Sequence, residues 1–260
     1  MIPKIIHYCW FGKQKKSKLI IDCIVSWKKF MPDYQIIEWN EQNCDLSHPF
    51  VNEVITLKKW AFVADFIRLQ KLIEFGGIYL DTDMLVFKKM EDLHHHQIFF
   101  GAENSKFISC GIIGSEKNDL FLKKCLQFYD TINLAKIDFN VITIPRIVTD
   151  EFRKHYDFFL NFDKIYKNNG CSIYPYDYFY PLPYSNKNDC KNYNNYITGN
   201  SYAVHLWSSS WVEFSEFDLI RNRNYISGLL KILINIKKIK FDFQYFHLLL
   251  SSLKSSLIKK

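Results

Sequence analysis

The chain has 260 residues, of which 48% are hydrophobic and 17% aromatic, so it can bury a sizeable core and is not a disordered protein. Its formal net charge of +7 is concentrated near the C-terminus, where residues 221–260 hold nine Lys or Arg against one acid. Seven scattered cysteines without a CxxC pair exclude a zinc knuckle and favour free thiols in a reducing cytoplasm. We expect neither a signal peptide nor a membrane-spanning helix, because the apolar runs are too short.

The N-terminal part of the sequence alternates between strand and helix patterns. Strands are predicted at Lys4–Trp10 and Tyr34–Asn40, with a basic helix between them at Ser17–Phe30. This alternation predicts an α/β fold with parallel strands, whose ligands bind at the carboxyl ends of the strands. His7, inside the first strand, is expected to be packed rather than catalytic.

A second helix is predicted at Leu57–Phe75, ended by the pair Gly76 and Gly77. It leads into a buried strand, "GIYLDTDMLVF", and then into a strand, loop and strand, "IFFGAENSKFISCGIIGSE". The prolines of Ser172–Tyr184 predict an irregular loop, and Tyr202–Leu206 reads as a late strand.

The last 40 residues differ in character from the rest of the chain. Two amphipathic helices with basic polar faces are predicted here, so we expect one domain at residues 1–220 and a helical tail at 221–260. The tail either anchors the protein peripherally to an anionic membrane surface or packs on the body of the protein. Nucleic acid is not expected as a partner, because the body carries no basic surface.

Asp81 and Asp83 interrupt the buried strand, and carboxylates are costly to bury without a positive partner. Side chains two residues apart in a strand point the same way, so both carboxylates can reach one point at the end of the strand. Such oxygen ligands suit Mn²⁺ or Mg²⁺ on a nucleotide diphosphate. The alternative from spacing alone is a pair of solvated turn aspartates.

The preceding helix favours the metal interpretation. Within Trp60–Leu69 only Asp65 and Arg68 are charged, and their spacing places them on one face of a helix that is otherwise apolar. They form either a polar pocket that binds a sugar or an internal ion pair.

The segment "WAFVADFIRLQKLIEFGGIYLDTDML" resembles the DXD-containing glycosyltransferases of family 32, and is similar to the glucosyltransferase domain of large bacterial cytotoxins. "IPKIIHYCWFG" resembles the family's first strand, and "HLWSSSW" its closing segment. The resemblance implies a GT-A fold, which is a single Rossmann-like domain that binds a nucleotide sugar, and a retaining transfer reaction.

By this resemblance Trp10 would stack on the nucleotide base, although a core tryptophan fits the spacing equally well. Asp65 and Arg68 would hold the donor sugar, and Tyr79 would lie near the ribose or the base. Arg68 is also expected among the catalytic residues.

The resemblance further implies that Asp83 ligates the metal and that Asp81 contacts both the metal and the ribose. His205, at the end of a predicted strand, is either a third metal ligand or an ordinary packed histidine. Ser210 and Trp211 would close over the diphosphate as a mobile loop.

The sequence therefore predicts a metal-dependent glycosyltransferase that uses a nucleotide sugar, UDP-linked, to extend a lipid-linked cell-surface glycan such as capsule or O-antigen. It would work in the cytoplasm at the inner face of the cell membrane. Alternatives are a toxin-like enzyme that modifies proteins, a glycan-binding pseudoenzyme, and a DxD phosphatase, which normally has a hydroxyl where this chain has Leu85.

Overall fold

The computed structural model describes residues 1–139, 141–208, 216–221, 223–236 and 243–258. The chain divides into two compact units, Met1–Ser208 and Ser209–Lys260. The tail predicted from residue 221 lies within the second unit, and the predicted boundary itself stays a prediction.

The described residues of the first unit form a mixed α/β structure. Its strands are β1 (Ile5–Cys9), β2 (Gln35–Trp39), β3 (Gly77–Leu80), β4 (Met84–Val86), β5 (Ile98–Ala102), β6 (Ile108–Ser115), β7 (Tyr166–Asn168), β8 (Cys171–Tyr174) and β9 (Ala203–His205). Its α-helices are α1 (Lys18–Phe30), α2 (Pro49–Thr56), α3 (Trp60–Phe75), α4 (Leu120–Gln127), α5 (Ile144–Tyr156) and α6 (Tyr176–Phe179). Short 3₁₀ helices lie at Glu91–Leu93, Phe128–Thr131 and Leu134–Lys136, and Tyr184–Tyr196 forms a series of 3₁₀ turns interrupted by non-helical residues.

Seven strands form one sheet in the order β2-β1-β3-β6-β5-β8-β7, and β4 pairs with β9 in a separate small sheet. Strand β1 is parallel to both β2 and β3, as the sequence predicts, whereas β6 runs antiparallel to its neighbours β3 and β5. Because β1 and β3 are parallel neighbours, their carboxyl ends meet at one edge of the sheet. Trp10 follows the first of these ends, and Asp81 follows the second.

The core lies on both faces of the large sheet because side chains alternate along each strand. In β3, Tyr79 packs into the core on one face, whose helices are α2, α3, α4 and α5. Ile78 and Leu80 point to the other face and pack with residues of α1, β4 and β9. Every residue of β3 is buried, so Asp81 follows a strand with no solvent-facing side.

The first two predicted strands and the helix between them are confirmed, with bounds that differ by at most one residue. Helix α3 ends where predicted, since Gly76 and Gly77 adopt φ values of +67° and +109°, a region that side chains rarely enter. It begins at Trp60 rather than Leu57, because residues 57–59 turn the chain from α2 into α3.

Two predictions for local structure were wrong. The strand around the aspartates is not continuous, because β3 ends at Leu80 and β4 begins at Met84 in a different sheet. The predicted loop Ser172–Tyr184 opens instead with strand β8 and helix α6. Pro175 stands between these two elements as the N-cap of α6, where its missing N–H and fixed φ are tolerated.

His7 is fully buried at the centre of β1, and both of its ring nitrogens have partners. The indole N–H of Trp39 donates to Nδ1 over 3.1 Å, so Nε2 carries the proton and donates to the carbonyl of Gly76 over 2.7 Å. Burial lowers the pKa of His7 to about 4, although the Gly76 carbonyl opposes this shift. The contacts agree with a packed structural histidine.

We predict that His7 makes the fold sensitive to acid. The unfolded chain binds this proton near pH 6.5 and the folded chain only near pH 4, so the stabilisation is complete above 6.5 and is lost as the pH falls towards 4. The loss is on the order of 3 kcal/mol. Urea unfolding of the wild type and His7→Gln at several pH values should show a shallower dependence in the variant, and equal slopes would contradict the prediction.

Candidate active site

Helix α3 carries two charged side chains into the interior. Asp65 is 8% exposed and Arg68 is 3% exposed, one helical turn apart on the face that packs on the sheet. Their closest approach, between Asp65 Oδ1 and Arg68 Nη2, is 2.8 Å. The internal ion pair considered from the sequence is therefore present.

Arg68 also reaches beyond its own helix. Its Nη1 donates to the backbone carbonyl of Cys110 on β6 over 2.6 Å and lies 3.3 Å from Asp81 Oδ1. The guanidinium lies over the ring of Tyr79, 4.4 Å from its centroid. One buried cation thus joins α3, β6 and the residue that follows β3.

Asp81 uses its two carboxylate oxygens differently. Oδ1 accepts a hydrogen bond from the Tyr79 hydroxyl over 3.1 Å and lies near Arg68, whereas Oδ2 faces His205, 3.7 Å from its Nε2. Burial raises the pKa of Tyr79 well above its usual value, so the phenol stays protonated as a donor. The side chain of Asp81 is therefore held by one oxygen, and its second oxygen is directed towards the histidine.

Asp83 shows the same division between its two oxygens. Oδ2 accepts a hydrogen bond from the backbone N–H of Ser208 over 2.7 Å. Oδ1 is fully buried, accepts no hydrogen bond from the described residues and pairs with His205 Nε2 at 3.1 Å. A buried carboxylate needs a positive partner, and His205 or a bound cation can fill that role.

The pairing of β4 with β9 explains why His205 meets the aspartates. These strands are antiparallel, and His205 lies opposite Met84, the residue after Asp83. The N–H of Leu206 then donates to the carbonyl of Asp83 over 3.0 Å. Strand register therefore brings together residues more than 120 positions apart in the chain.

Asp81, Asp83 and His205 can supply a metal site. One ligand atom from each lies within 4.8 Å of the other two, and all three residues are buried. Two carboxylates and one imidazole form a donor set that fits a divalent cation, and Asp83 Oδ1 lies buried at its centre without a hydrogen bond from the described residues. The contacts therefore fit the metal that the sequence predicts.

The charge of His205 and the charges of the two aspartates stabilise one another. Burial disfavours a charged His205, but the Asp83 and Asp81 carboxylates outweigh burial and raise the pKa of His205 to about 10. Burial likewise opposes ionisation of Asp83, yet the His205 charge and the Ser208 N–H hold the pKa of Asp83 below its usual value. A divalent cation held by these three residues would need the imidazole in its neutral form, so its binding would compete with the histidine proton.

Asp65 lies deeper and differs from the other carboxylates. Burial raises the pKa of Asp65 to about 7, an effect that Arg68 opposes and the nearby Asp81 charge reinforces. Asp65 therefore carries a proton part of the time near neutral pH, and in that form it can donate as well as accept a hydrogen bond.

The remaining predicted residues lie in different surroundings. Trp10 follows β1 at the same sheet edge as Asp81, and its indole N–H donates to the carbonyl of Gln14 over 2.7 Å. Its ring is partly exposed and carries the Lys16 ammonium 5.3 Å from the centroid. Ser210 and Trp211 fall outside the described residues.

The sequence reasoning missed three residues at the site. Ser208 contributes its backbone N–H, and the ring centroid of Trp207 lies 4.0 Å from that of His205 in a perpendicular contact. Gly111 lies on β6, where an added Cβ would be 3.0 Å from Asp81 Oδ2 and 3.3 Å from His205 Cδ2. Only "HLWSSSW" pointed to this region, and nothing in the sequence marks Gly111.

Comparison with known families agrees with the site. Residues 17–100 match the family described as "glycosyltransferase sugar-binding region containing DXD motif", and this match confirms the resemblance predicted from the sequence. The matched segment covers about a third of the chain and includes Asp65, Arg68, Asp81 and Asp83.

Two curated relatives are also similar. Lactosylceramide 4-alpha-galactosyltransferase of Mus musculus is 27% identical over 154 residues, 56% of this chain and 40% of the relative. Inositol phosphoceramide mannosyltransferase 3 of Schizosaccharomyces pombe is 26% identical over 147 residues, 54% of this chain and 39% of the relative. The chain therefore spans about two fifths of the length of these relatives.

The fold has a counterpart among solved structures. The PaToxG glycosyltransferase superposes with a TM-score of 0.51 at 21% identity, covering 60% of this chain and 70% of that one. The first unit thus has the GT-A glycosyltransferase fold predicted from the sequence.

We predict that loss of the Arg68 charge destabilises the protein strongly. Arg68→Met leaves Asp65 and Asp81 buried without their cation, which should cost about 3–5 kcal/mol of unfolding free energy. The matched control is Lys154→Met, which removes an exposed pair with Glu151 and should change stability by about 0.5 kcal/mol or less. Urea unfolding measures both variants, and similar losses would refute the assigned role of Arg68.

Proposed function

We propose that this chain, which matches the DXD-containing sugar-binding family over residues 17–100, is a metal-dependent glycosyltransferase that uses a UDP-linked sugar donor. One observation carries the proposal. Asp81 and Asp83 each have one oxygen held by the protein and the other directed at His205 Nε2. An internal salt bridge does not require each carboxylate to keep one oxygen for a further partner, whereas a cation site does.

Asp83, Asp81 and His205 would hold the cation. When bound, it supplies Lewis-acid stabilisation of the diphosphate leaving group. We favour Mn²⁺ over Mg²⁺, because the imidazole is a softer ligand than oxygen and Mn²⁺ accepts it more readily.

The surrounding residues orient these ligands. Tyr79 and Arg68 fix Oδ1 of Asp81, and the Ser208 N–H fixes Oδ2 of Asp83, so neither carboxylate has to reorganise when the site fills. Asp65 then serves as the hydrogen-bond partner of a sugar hydroxyl, and Arg68 stabilises its charge.

Trp10 would supply a flat apolar surface for the base, since it lies at the same sheet edge as Asp81 and its ring is partly exposed. The retaining outcome and the closure of Ser210 and Trp211 over the donor follow from the family resemblance and stay predictions. The acceptor hydroxyl would attack from the side of the leaving group and pass its proton to the departing phosphate.

We propose a lipid-linked glycan as acceptor, in keeping with a capsule or O-antigen precursor. The names of the two curated relatives give lactosylceramide and inositol phosphoceramide, both of them ceramide lipids, as the acceptors of those proteins. Such an acceptor requires the enzyme to work at a lipid surface. The predicted position on the cytoplasmic side stays a prediction, and no helix among the described residues is both long and apolar enough to cross a membrane.

We predict that Asp83→Asn abolishes both Mn²⁺ binding and metal-dependent hydrolysis of a UDP-sugar. The amide keeps the size of the side chain but removes the charge at Oδ1, so Mn²⁺ affinity should fall at least about 100-fold. Calorimetric titration with Mn²⁺ alone measures binding, and a panel of nucleotide sugars measures hydrolysis and identifies the donor.

The matched control is Asp22→Asn, which alters an exposed aspartate paired with Lys18 on α1 and should leave both properties unchanged. If Asp83→Asn bound Mn²⁺ and hydrolysed the donor as well as the wild type, the proposed function would be wrong.

We also predict that Gly111→Ala weakens Mn²⁺ binding by about tenfold. The new methyl group would press on Asp81 Oδ2 and on the Tyr180 hydroxyl, 3.1 Å away, and would displace one ligand. Gly199→Ala is the control, because an added Cβ there meets no atom within 4 Å. Titration with Mn²⁺ tests both, and unchanged affinity in Gly111→Ala would contradict the placement of β6 against the site.

A further inference from the structure

The described residues of the second unit form helices α7 (Glu216–Arg221), α8 (Tyr225–Asn235) and α9 (Phe243–Ile258), and the two longer helices expose many apolar side chains. On α8, five apolar residues at helical spacing are between 52% and 80% exposed, namely Ile226, Leu229, Leu230, Leu233 and Ile234. On α9, four apolar residues are between 37% and 78% exposed, namely Phe246, Leu250, Leu253 and Leu257. The two long helices therefore direct an apolar stripe away from their own interior.

The described interior of this unit holds Ile220 and Tyr245 together with small and polar groups. Ser252 and Ser256 are fully buried, and Gly228 lies so close to α7 that an added Cβ would be 2.8 Å from Ile220 Cγ1. The Tyr225 hydroxyl donates to Ser256 Oγ over 3.0 Å, and Arg223 Nε donates to the Ser256 carbonyl over 2.9 Å. Close helix contacts at Gly and Ser, with leucines on the outside, are found among helices that face lipid.

We infer that the outward face of α8 and α9 binds the surface of a bilayer that contains anionic lipid. Residues 221–260 carry a net charge of +8, which attracts an anionic surface and opposes the approach of a second copy of the same face. A cluster of this many exposed apolar side chains is unfavourable in water and indicates a binding surface. Lipid supplies both the apolar cover and the opposite charge.

The lengths of the helices decide how they bind. Helices of 11 and 16 residues are about 16 and 24 Å long, shorter than the ~30 Å hydrocarbon core of a bilayer. They therefore lie in the plane of the interface with the leucine side inserted. This inference concerns a binding surface in the second unit and does not depend on the proposed transfer reaction.

The test uses the full-length protein and lipid vesicles without metal or nucleotide. The variant combines Ile226→Gln, Ile234→Gln and Leu257→Gln, which change three of the most exposed apolar side chains of this unit and leave its interior intact. Co-sedimentation with phosphatidylcholine vesicles that contain phosphatidylglycerol should show binding of the wild type and at least about tenfold weaker partitioning of the variant.

The matched control combines Leu120→Gln, Phe159→Gln and Leu160→Gln, three side chains of similar exposure in the first unit, and it should bind vesicles within about twofold of the wild type. Vesicles of phosphatidylcholine alone should bind the wild type more weakly, and high salt should remove that difference. The inference is wrong if the wild type fails to bind anionic vesicles, if the triple variant binds as the wild type does, or if light scattering shows that the three residues instead hold two copies together. Because no activity is measured, failure of this test leaves the proposed function untouched.

Discussion

The first unit depends on the neutralisation of buried carboxylates by Arg68. This side chain is 3% exposed and contacts Asp65 on its own helix, Asp81 after β3 and the carbonyl of Cys110 on β6. Each contact gives a buried acceptor a positive partner, and together they fix α3 against two strands. Arg68 therefore sets the position of Asp81 before any ligand arrives.

The rest of the site follows from the same constraint. Because Arg68 and Tyr79 occupy one oxygen of Asp81, and Ser208 occupies one oxygen of Asp83, the second oxygens have a common direction. The charge of His205 meets them, and the two buried carboxylates raise the pKa of His205 to about 10. A site of this kind holds its ligands ready and lets a metal replace a proton.

The two units differ in how much of their apolar side-chain surface is buried. In the first, large aliphatic and aromatic side chains are buried on both faces of a seven-stranded sheet. In the second, Gly228, Ser252 and Ser256 are buried beside Ile220 and Tyr245, while many isoleucines and leucines are exposed. The first arrangement is stable in water, and the exposed apolar side chains of the second are the basis for the lipid surface that we propose.

The sequence by itself determined the early strands and helix, the end of α3 at its two glycines, the paired aspartates and the spacing of Asp65 and Arg68, because local patterns encode all of these. It also placed Ser172–Tyr184 in a loop and the aspartates in one strand, since prolines and apolar runs do not reveal sheet membership. Only the tertiary structure decided that His205 and Ser208 meet Asp83 and that Gly111 passes beneath them, because these contacts come from strand register between distant segments. The sequence likewise fixed that the C-terminal helices are amphipathic, but only their packing through Gly228 and Ser256 decided that the apolar side faces outward.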